Sequence, residues 1–377
     1  MNVEYFRKQM NIIKEWTYFN HASVGPLPKE TFLAQLEALN NKMFHGSMKE
    51  DFSTLDQDYE EFQKIGAKII GTKNWNNIFF PSSTHQGIIS ILEGLPLEKK
   101  GNIVITDMEF TQNSYPYQVL AKRTDRELKV VENEKGQLPI EKYEEKIDEN
   151  TRLVAVSHVQ FSNGYMTDLK KLSELIHEQG GFLIVDAIQS LGTMEFKADN
   201  WGVDGVVAGG YKWLLGPFMT GIAFVSEEWI DKLNPIVAAW LSDKEYLNMS
   251  HHSYEPLKGG RRLQPHINIM TFTLRPSLEL LVDVGLNQIR KQTLKIGNEI
   301  IKRSEEMGFE IGSPLSDKER GAIVKVMIPD AVKIVEELKK LKIAVSHREK
   351  GVRFSPHGYN TLEEVETIFS TIETLTK

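Results

Sequence analysis

The sequence predicts an α/β protein: a seven-stranded, mostly parallel sheet with helices on both faces, plus a smaller α+β domain. Three observations carry this. Seven short apolar runs recur between residues 77 and 226, most of them separated by stretches with helical spacing of apolar residues, as buried parallel strands with crossover helices require. The last two runs are joined by GYKWLLGPFMT, too short for a helical crossover, so one strand runs antiparallel. After about residue 240 the alternation gives way to a polar, turn-rich stretch and then to a helical stretch with short apolar runs.

Taken in order, residues 27–48 and 54–71 have apolar positions at helical spacing with charges between them, giving two helices with exposed faces. The strand candidates are NIFF (77–80), NIVIT (102–106), LKVVE (128–132), RLVAVS (152–157), FLIVDA (182–187), GVVAG (205–209) and GIAFVS (221–226). Helices are expected over 84–94, 112–121, 138–148 and 168–179. DKEYLNMSHHSYEPLKGGRR reads as a connecting loop. One long helix is expected over 274–304, strands at GAIVKVMI, KIAVSH and VRFS, and helices at 330–340 and 361–375. The expected division is an N-terminal segment, 1–25, joining the small domain and the active site; a large domain, 26–270; and a small C-terminal domain, 271–377.

Composition narrows the function. A net charge of −7 gives no general attraction to nucleic acid or anionic lipid. No apolar run approaches the roughly 20 residues of a membrane helix, and the first residues lack a signal-peptide core, so a cytoplasmic protein is expected. The chain has no cysteine, which removes disulfides, thiolate metal sites and a cysteine nucleophile. His251 and His252 lie in a polar loop without carboxylates at ligand spacing, so no metal site is expected.

Open α/β sheets bind ligands beyond the carboxyl ends of their strands. Ser83 and Thr84 follow the first run and open a helix, where hydroxyls and backbone N–H groups either cap the helix or cradle a phosphate. Phe110 follows the second run and offers a face to a planar ligand, with Asn113 adding polar contacts. Asp186 ends a very apolar run and needs a partner, because a buried unpaired carboxylate is costly. Gln189 offers an amide beside that partner. Lys212 follows GVVAGGY and precedes Trp213, Leu214 and Leu215, whose bulk keeps water away; desolvation disfavours the ammonium and makes the amine usable. An anion cradle, a stacking ring, a carboxylate and an amine are together what pyridoxal 5′-phosphate requires for its phosphate, ring, pyridine nitrogen and aldehyde.

These residues resemble the class V aminotransferases, the fold-type I pyridoxal-phosphate family that includes cysteine desulfurases, kynureninase and isopenicillin N epimerase. YFNHASVGPLP (18–28) is similar to the family's opening motif, MEFTQNSYPY to its ring-stacking segment, VDAIQSLG to its carboxylate motif, AGGYKWLLGP to its Schiff-base motif and VRFSPHGYNTLEEV (352–365) to its substrate-binding motif. The resemblance implies that Lys212 bonds the cofactor and moves protons at the substrate's α-carbon, and that Asp186 pairs with the pyridine nitrogen. It further implies that Gln189 lies near the ring O3′, that Phe110 stacks on the ring and that Ser83 and Thr84 hold the phosphate. Arg353 would clamp the substrate carboxylate, with Asn20 and His21 lining the substrate side; Tyr165, Tyr211, His266 and His357 are further pocket candidates. Two positions depart from the family pattern: Gly209 stands where many relatives have serine, and Tyr211, taken as cofactor-binding, where they have histidine. RRLQPHINIM replaces the segment that relatives contribute to the partner subunit's phosphate site, with Asn268 as a substitute.

The implied protein is a homodimeric enzyme acting on an amino acid or keto acid, most simply an aminotransferase. A lyase or epimerase is the alternative, and a non-catalytic binding protein a more distant one. Sulfur transfer through an enzyme persulfide is excluded, since it requires a thiol that this chain lacks.

Overall fold

The computed structural model describes residues 3–48, 53–97, 100–248, 253–264, 267 and 269–376. His251, His252, His266 and Asn268 lie outside them. After the helix Val3–Gln9 comes the short strand β1 (Thr17–Tyr18), and then two helices, Lys29–His45 and Leu55–Ile70. The strands β2 (Ile78–Phe79), β3 (Asn102–Thr106), β4 (Leu128–Val131), β5 (Thr151–Ser157), β6 (Phe182–Asp186), β7 (Gly205–Gly209) and β8 (Gly221–Val225) form one sheet. Its order is β2-β8-β7-β6-β5-β3-β4. Strand β8 alone runs against its neighbours, β7 and β2, because residues 210–220 fold into a tight connection in which Gly210 N–H donates to the Thr220 carbonyl over 2.8 Å.

Every residue of β3, β6, β7 and β8 is buried, and successive residues feed opposite faces, as the strand period of two dictates. Val154, Val156, Leu183, Val185 and Val206 join one core with the helices Leu55–Ile70 and Arg275–Val284. Leu153, Ala155, Phe182, Ile184 and Val207 join a second core with the helices Thr84–Leu92 and Thr111–Thr124. That two-sided burial is why the runs read as continuously apolar.

Beyond the sheet, β9 (Glu310–Ile311), β10 (Val324–Met327), β11 (Ile343–Ala344), β12 (Ser346–Arg348) and β13 (Gly351–Phe354) follow. Four of them make an antiparallel sheet in the order β12-β13-β10-β9. A third apolar core packs it against the helices Leu286–Glu306, Ala331–Lys340 and Leu362–Thr376. Strand β11 instead pairs in parallel with β1, and Asn20 bridges to Ser355, so the N-terminal segment runs alongside the C-terminal strands.

The expected helix over 274–304 is two helices, Arg275–Val284 and Leu286–Glu306, separated at Gly285, whose φ of 87° a helix cannot hold. The helix expected over 138–148 is confined to Ile140–Glu144. β9 was not expected, since its two residues carry no alternation.

Three histidines sit inside these cores. Burial pushes His357 down to about 4 and His158 down to about 3, the latter helped by the nearby Arg290; His21 is also held well below its ordinary value. Below about pH 6.5 the unfolded chain binds protons that the folded chain refuses, so stability falls as pH drops towards 4. Each such histidine contributes about 1.4 kcal/mol per pH unit in that window. Substitution of His158, whose ring lies edge-on to Phe196 at 5.3 Å, by phenylalanine is expected to flatten the pH dependence of the denaturant midpoint between pH 6.5 and 4; an unchanged slope would refute this.

Candidate active site

Strand β3 lies between β4 and β5, so the order of connection reverses there and opens a crevice at the carboxyl ends of β3 and β5. Phe110, after β3, caps the helix Thr111–Thr124 and leaves its ring 44% exposed. Phe161, after β5, meets it edge-on with centroids 5.2 Å apart. Asp186 is the last residue of β6, and Lys212 follows the end of β7. The sheet therefore brings Phe110, Asp186 and Lys212 to one edge, as expected.

Lys212 Nζ lies 5.8 Å from the centroid of the Phe110 ring and 5.9 Å from that of Tyr211. Burial pushes the ammonium below its ordinary value; Asp186 opposes the shift, and the like charges of Arg353 and Arg348 add to it. Burial pushes the Asp186 carboxyl up, against the Ile188 N–H that donates to Oδ1 over 2.9 Å and against Lys212, while Glu109 raises it further. Both groups carry a mutual attraction, yet no cation lies within ion-pair distance of Asp186 among the described residues. A buried carboxylate at the end of one strand, a half-buried amine just after the next and an exposed ring beside that amine fit the pyridine nitrogen, aldehyde and ring face of pyridoxal phosphate by the chemistry of their donors.

The lysine sits on a turn that other chain segments clamp. A Cβ on Gly25 would come within 1.9 Å of the Lys212 carbonyl oxygen, and one on Gly192, at φ 96°, within 2.2 Å of that of Trp213. Only glycine admits such approach. Trp213 is fully buried, and its indole N–H donates to Gln189 Oε1 over 2.7 Å. Gln189 Nε2 donates in turn to the Ala22 carbonyl over 3.1 Å. The amide expected near O3′ thus ties the opening motif to the lysine turn through its oxygen and one of its two N–H groups.

His21 corrects a second expectation. It is fully buried behind Trp213, with ring centroids 5.6 Å apart; its Nδ1 bonds to the Ser355 carbonyl over 2.8 Å and its Nε2 to the Tyr359 hydroxyl over 2.7 Å. No face remains for a substrate. His357 is likewise buried, bonding through Nε2 to the Trp213 carbonyl, and the Tyr165 hydroxyl donates to the Leu138 carbonyl. Asn113 donates to Glu109 rather than facing a ligand.

Ser83 caps the helix Thr84–Leu92, its Oγ accepting from Gln86 N–H over 3.1 Å, and Thr84 Oγ1 accepts from Gly209 N–H over 2.8 Å. Both hydroxyls thus stand at a helix N-terminus beside the start of the lysine turn, where an anion is favoured. A Cβ on Gly209 would lie 3.1 Å from the Tyr211 ring and 3.2 Å from Thr84 Oγ1. The two departures from the family pattern, glycine at 209 and tyrosine at 211, are packed against each other.

Arg353 is buried without a carboxylate. Its Nε donates to Ser346 Oγ over 3.1 Å, Nη1 to the Phe161 carbonyl over 2.7 Å and Nη2 to Ser23 Oγ over 2.8 Å. Burial and the neighbouring Arg348 push the guanidinium down to about 9. Asn20 stands beside it on the bridge to Ser355, with Oδ1 buried and unpartnered.

Four contributors escaped the sequence: Ser23, Ser346, Arg348 and Glu109. Glu109 is buried and accepts from Thr106 Oγ1, Asn113 Nδ2, Ser157 N–H and Oγ, and Gln160 Nε2, so it fixes the backbone that carries Phe110. Its adjacency to Phe110 in MEFTQ was the one available signal.

The comparisons agree with this geometry. The chain is 28% identical over 367 residues to a Bacillus subtilis protein called an uncharacterized aminotransferase, covering 96% of this chain and 95% of that one. It is 27% identical to a probable cysteine desulfurase of Pyrococcus abyssi, covering 98% and 97%, and 28% identical to a Bacillus thuringiensis kynureninase, covering 81% and 75%. The solved apo structure of a Thermococcus onnurineus cysteine desulfurase superposes with a TM-score of 0.87 at 25% identity, covering 99% and 97%. Residues 17–368 match the family described as Aminotransferase class-V. The chain belongs to that family, and is a fold-type I enzyme whose cofactor is pyridoxal 5′-phosphate.

Proposed function

We propose that this enzyme is a homodimeric aminotransferase acting on an amino acid and a keto acid, with Lys212 as the catalytic base. The observation that carries the reading is the half-buried Lys212 amine, 5.8 Å from the centre of the Phe110 ring and within the fields of the Asp186 carboxylate and Arg353. When bound, the cofactor supplies an electron sink for the bonds at the substrate's α-carbon.

The residues do the rest. Asp186 would hold the cofactor's ring nitrogen, whose positive charge would offset the burial that otherwise raises its carboxyl. Phe110 and Tyr211 would hold the cofactor's ring, and Ser83 and Thr84 would hold its phosphate at a helix N-terminus. Lys212, its amine lowered by burial, would hold the cofactor through its aldehyde and would serve as the base that moves the proton at the substrate's α-carbon. Arg353 orients the substrate carboxylate. Trp213 closes the inner side against water. The lack of cysteine leaves no thiol to carry sulfur, which separates this chain from a persulfide-forming desulfurase.

The dimer reading rests on exposed apolar surface. The helix Lys29–His45 presents Phe32, Leu36, Leu39, Met43 and Phe44 to solvent, and Phe218 and Met219 stand exposed on the lysine turn itself. An exposed apolar stripe of this kind fits a second copy of the chain, which would then lie against the lysine turn. Light scattering is expected to give a dimer, and Phe32→Glu with Met43→Glu to give monomers that bind the cofactor weakly. A fully loaded wild-type monomer would refute the arrangement.

Purified protein with pyridoxal phosphate is expected to show the visible absorbance of lysine-bound cofactor, shifted by amino acids. Lys212→Ala is expected to lose that band and at least about three orders of magnitude in turnover, and Asp186→Ala about a hundredfold or more. Stoichiometric keto acid formation, dependent on a second keto acid, identifies transamination; release of a fragment without an acceptor identifies a lyase instead. Arg353→Gln is expected to weaken the binding of acetate or propionate by about tenfold or more; an unchanged affinity would remove Arg353 from the clamp.

A further inference from the structure

We propose that the substrate carries a second acidic group and that Arg348 receives it, which makes this an enzyme for acidic amino acids and their keto acids. The proposal rests on the amino-acid reading above.

The small sheet places Arg348 beside Arg353. In the β12–β13 hairpin Ser346 lies opposite Arg353, and Arg348 opposite Gly351. Cross-strand partners share a face, and so do residues two apart on a strand. Ser346, Arg348 and Arg353 therefore stand on one face, the face whose Arg353 reaches Phe161 and Ser23 in the active site. Lys325, opposite Arg353 on β10, shares it too.

The charges on that face do not balance. Lys325 is paired with Glu349. Arg353 donates only to neutral oxygens. Arg348 donates through Nη1 to the carbonyl of His347, its own neighbour, over 2.8 Å, and among the described residues no carboxylate lies within ion-pair distance of either arginine. Elsewhere around the small sheet Arg320 pairs with Asp317, Arg303 with Glu306 and Glu366, and Arg7 with Glu364, while Arg290 donates to the Asp317 and Arg320 carbonyls. The field of Arg348 reaches both Arg353 and Lys212, lowering each.

The two arginines also differ in access. Arg353 is fully buried, with each of its three nitrogens engaged, whereas Arg348 is half-buried. One substrate carboxylate neutralises Arg353 and leaves a second guanidinium of like sign uncompensated beside it. A substrate with an acid at each end satisfies both, the inner guanidinium holding the α-carboxylate and the outer one the side-chain acid, in the bidentate manner that suits arginine.

Non-reacting acids test this on the pyridoxal-phosphate-loaded dimer. Calorimetric titration compares succinate and glutarate with propionate and butyrate in wild type, Arg348→Gln and Arg348→Lys. The expected result is that the dicarboxylates bind wild type about tenfold or more tighter than the monocarboxylates at low salt. Arg348→Gln should abolish that preference by weakening the dicarboxylates about tenfold more than the monocarboxylates, and Arg348→Lys should retain part of it. Three results would overturn the proposal: equal affinity for both classes in wild type, a preference that survives Arg348→Gln, or monocarboxylate affinity that collapses in Arg348→Gln, which would make Arg348 the α-carboxylate clamp. Failure of the underlying amino-acid reading has its own signature, wild-type protein that binds neither class of acid.

Discussion

A buried carboxylate and a half-buried amine at the ends of adjacent strands, with no ion within pairing distance of either among the described residues, set the requirements for the rest of the structure. Taking each charge out of water costs several kcal/mol, and the shifts are of opposite sense: burial raises Asp186 and lowers Lys212. Both groups are brought towards neutrality. That condition is poor for stability and suited to a lysine that must act as an amine and a carboxylate that must answer a ligand cation.

Holding such a pair demands rigid support, and the support comes from distant parts of the chain. Gly25 presses on the Lys212 carbonyl from the opening motif, and Gly192 on that of Trp213 from the loop after β6. Gln189 joins Ala22 to the Trp213 indole, while His357 reaches the Trp213 carbonyl from beyond β13. The pairing of β1 with β11, and the bridge from Asn20 to Ser355, bring the opening motif and the small sheet to the same wall. The aromatic and imidazole groups that look like substrate contacts in the sequence are this wall. The open side of the site is instead Phe110, with Phe161 edge-on to it and Arg348 half-buried outside the buried Arg353.

The seven strands were legible because both faces of the sheet are covered, which makes each strand a continuous apolar run bounded by polar turns. The antiparallel β8 was legible from the short connection at 210–220. Strand ends located Phe110, Asp186 and Lys212, because position after a strand decides what faces the crevice. Side-chain orientation was not legible. Gln189 and His21 have the right chemistry for a cofactor or substrate contact, and only packing against Trp213 shows where their polar atoms go. Glu109 was hidden because its five donors come from β3, β5 and the segments that follow them. Arg348 was hidden because its place beside Arg353 depends on the register of a hairpin that a one-residue slip would reverse. The break at Gly285 was masked by helical spacing that continues on both sides of it.

The central claim is that one lysine among many, Lys212, is the amine that holds the cofactor. Borohydride reduction of the loaded protein followed by peptide mapping tests it most directly. The account predicts one pyridoxyl-lysine, in the peptide containing Lys212, formed at about one equivalent per chain. Label on another lysine, or none in protein that retains the cofactor, would contradict it.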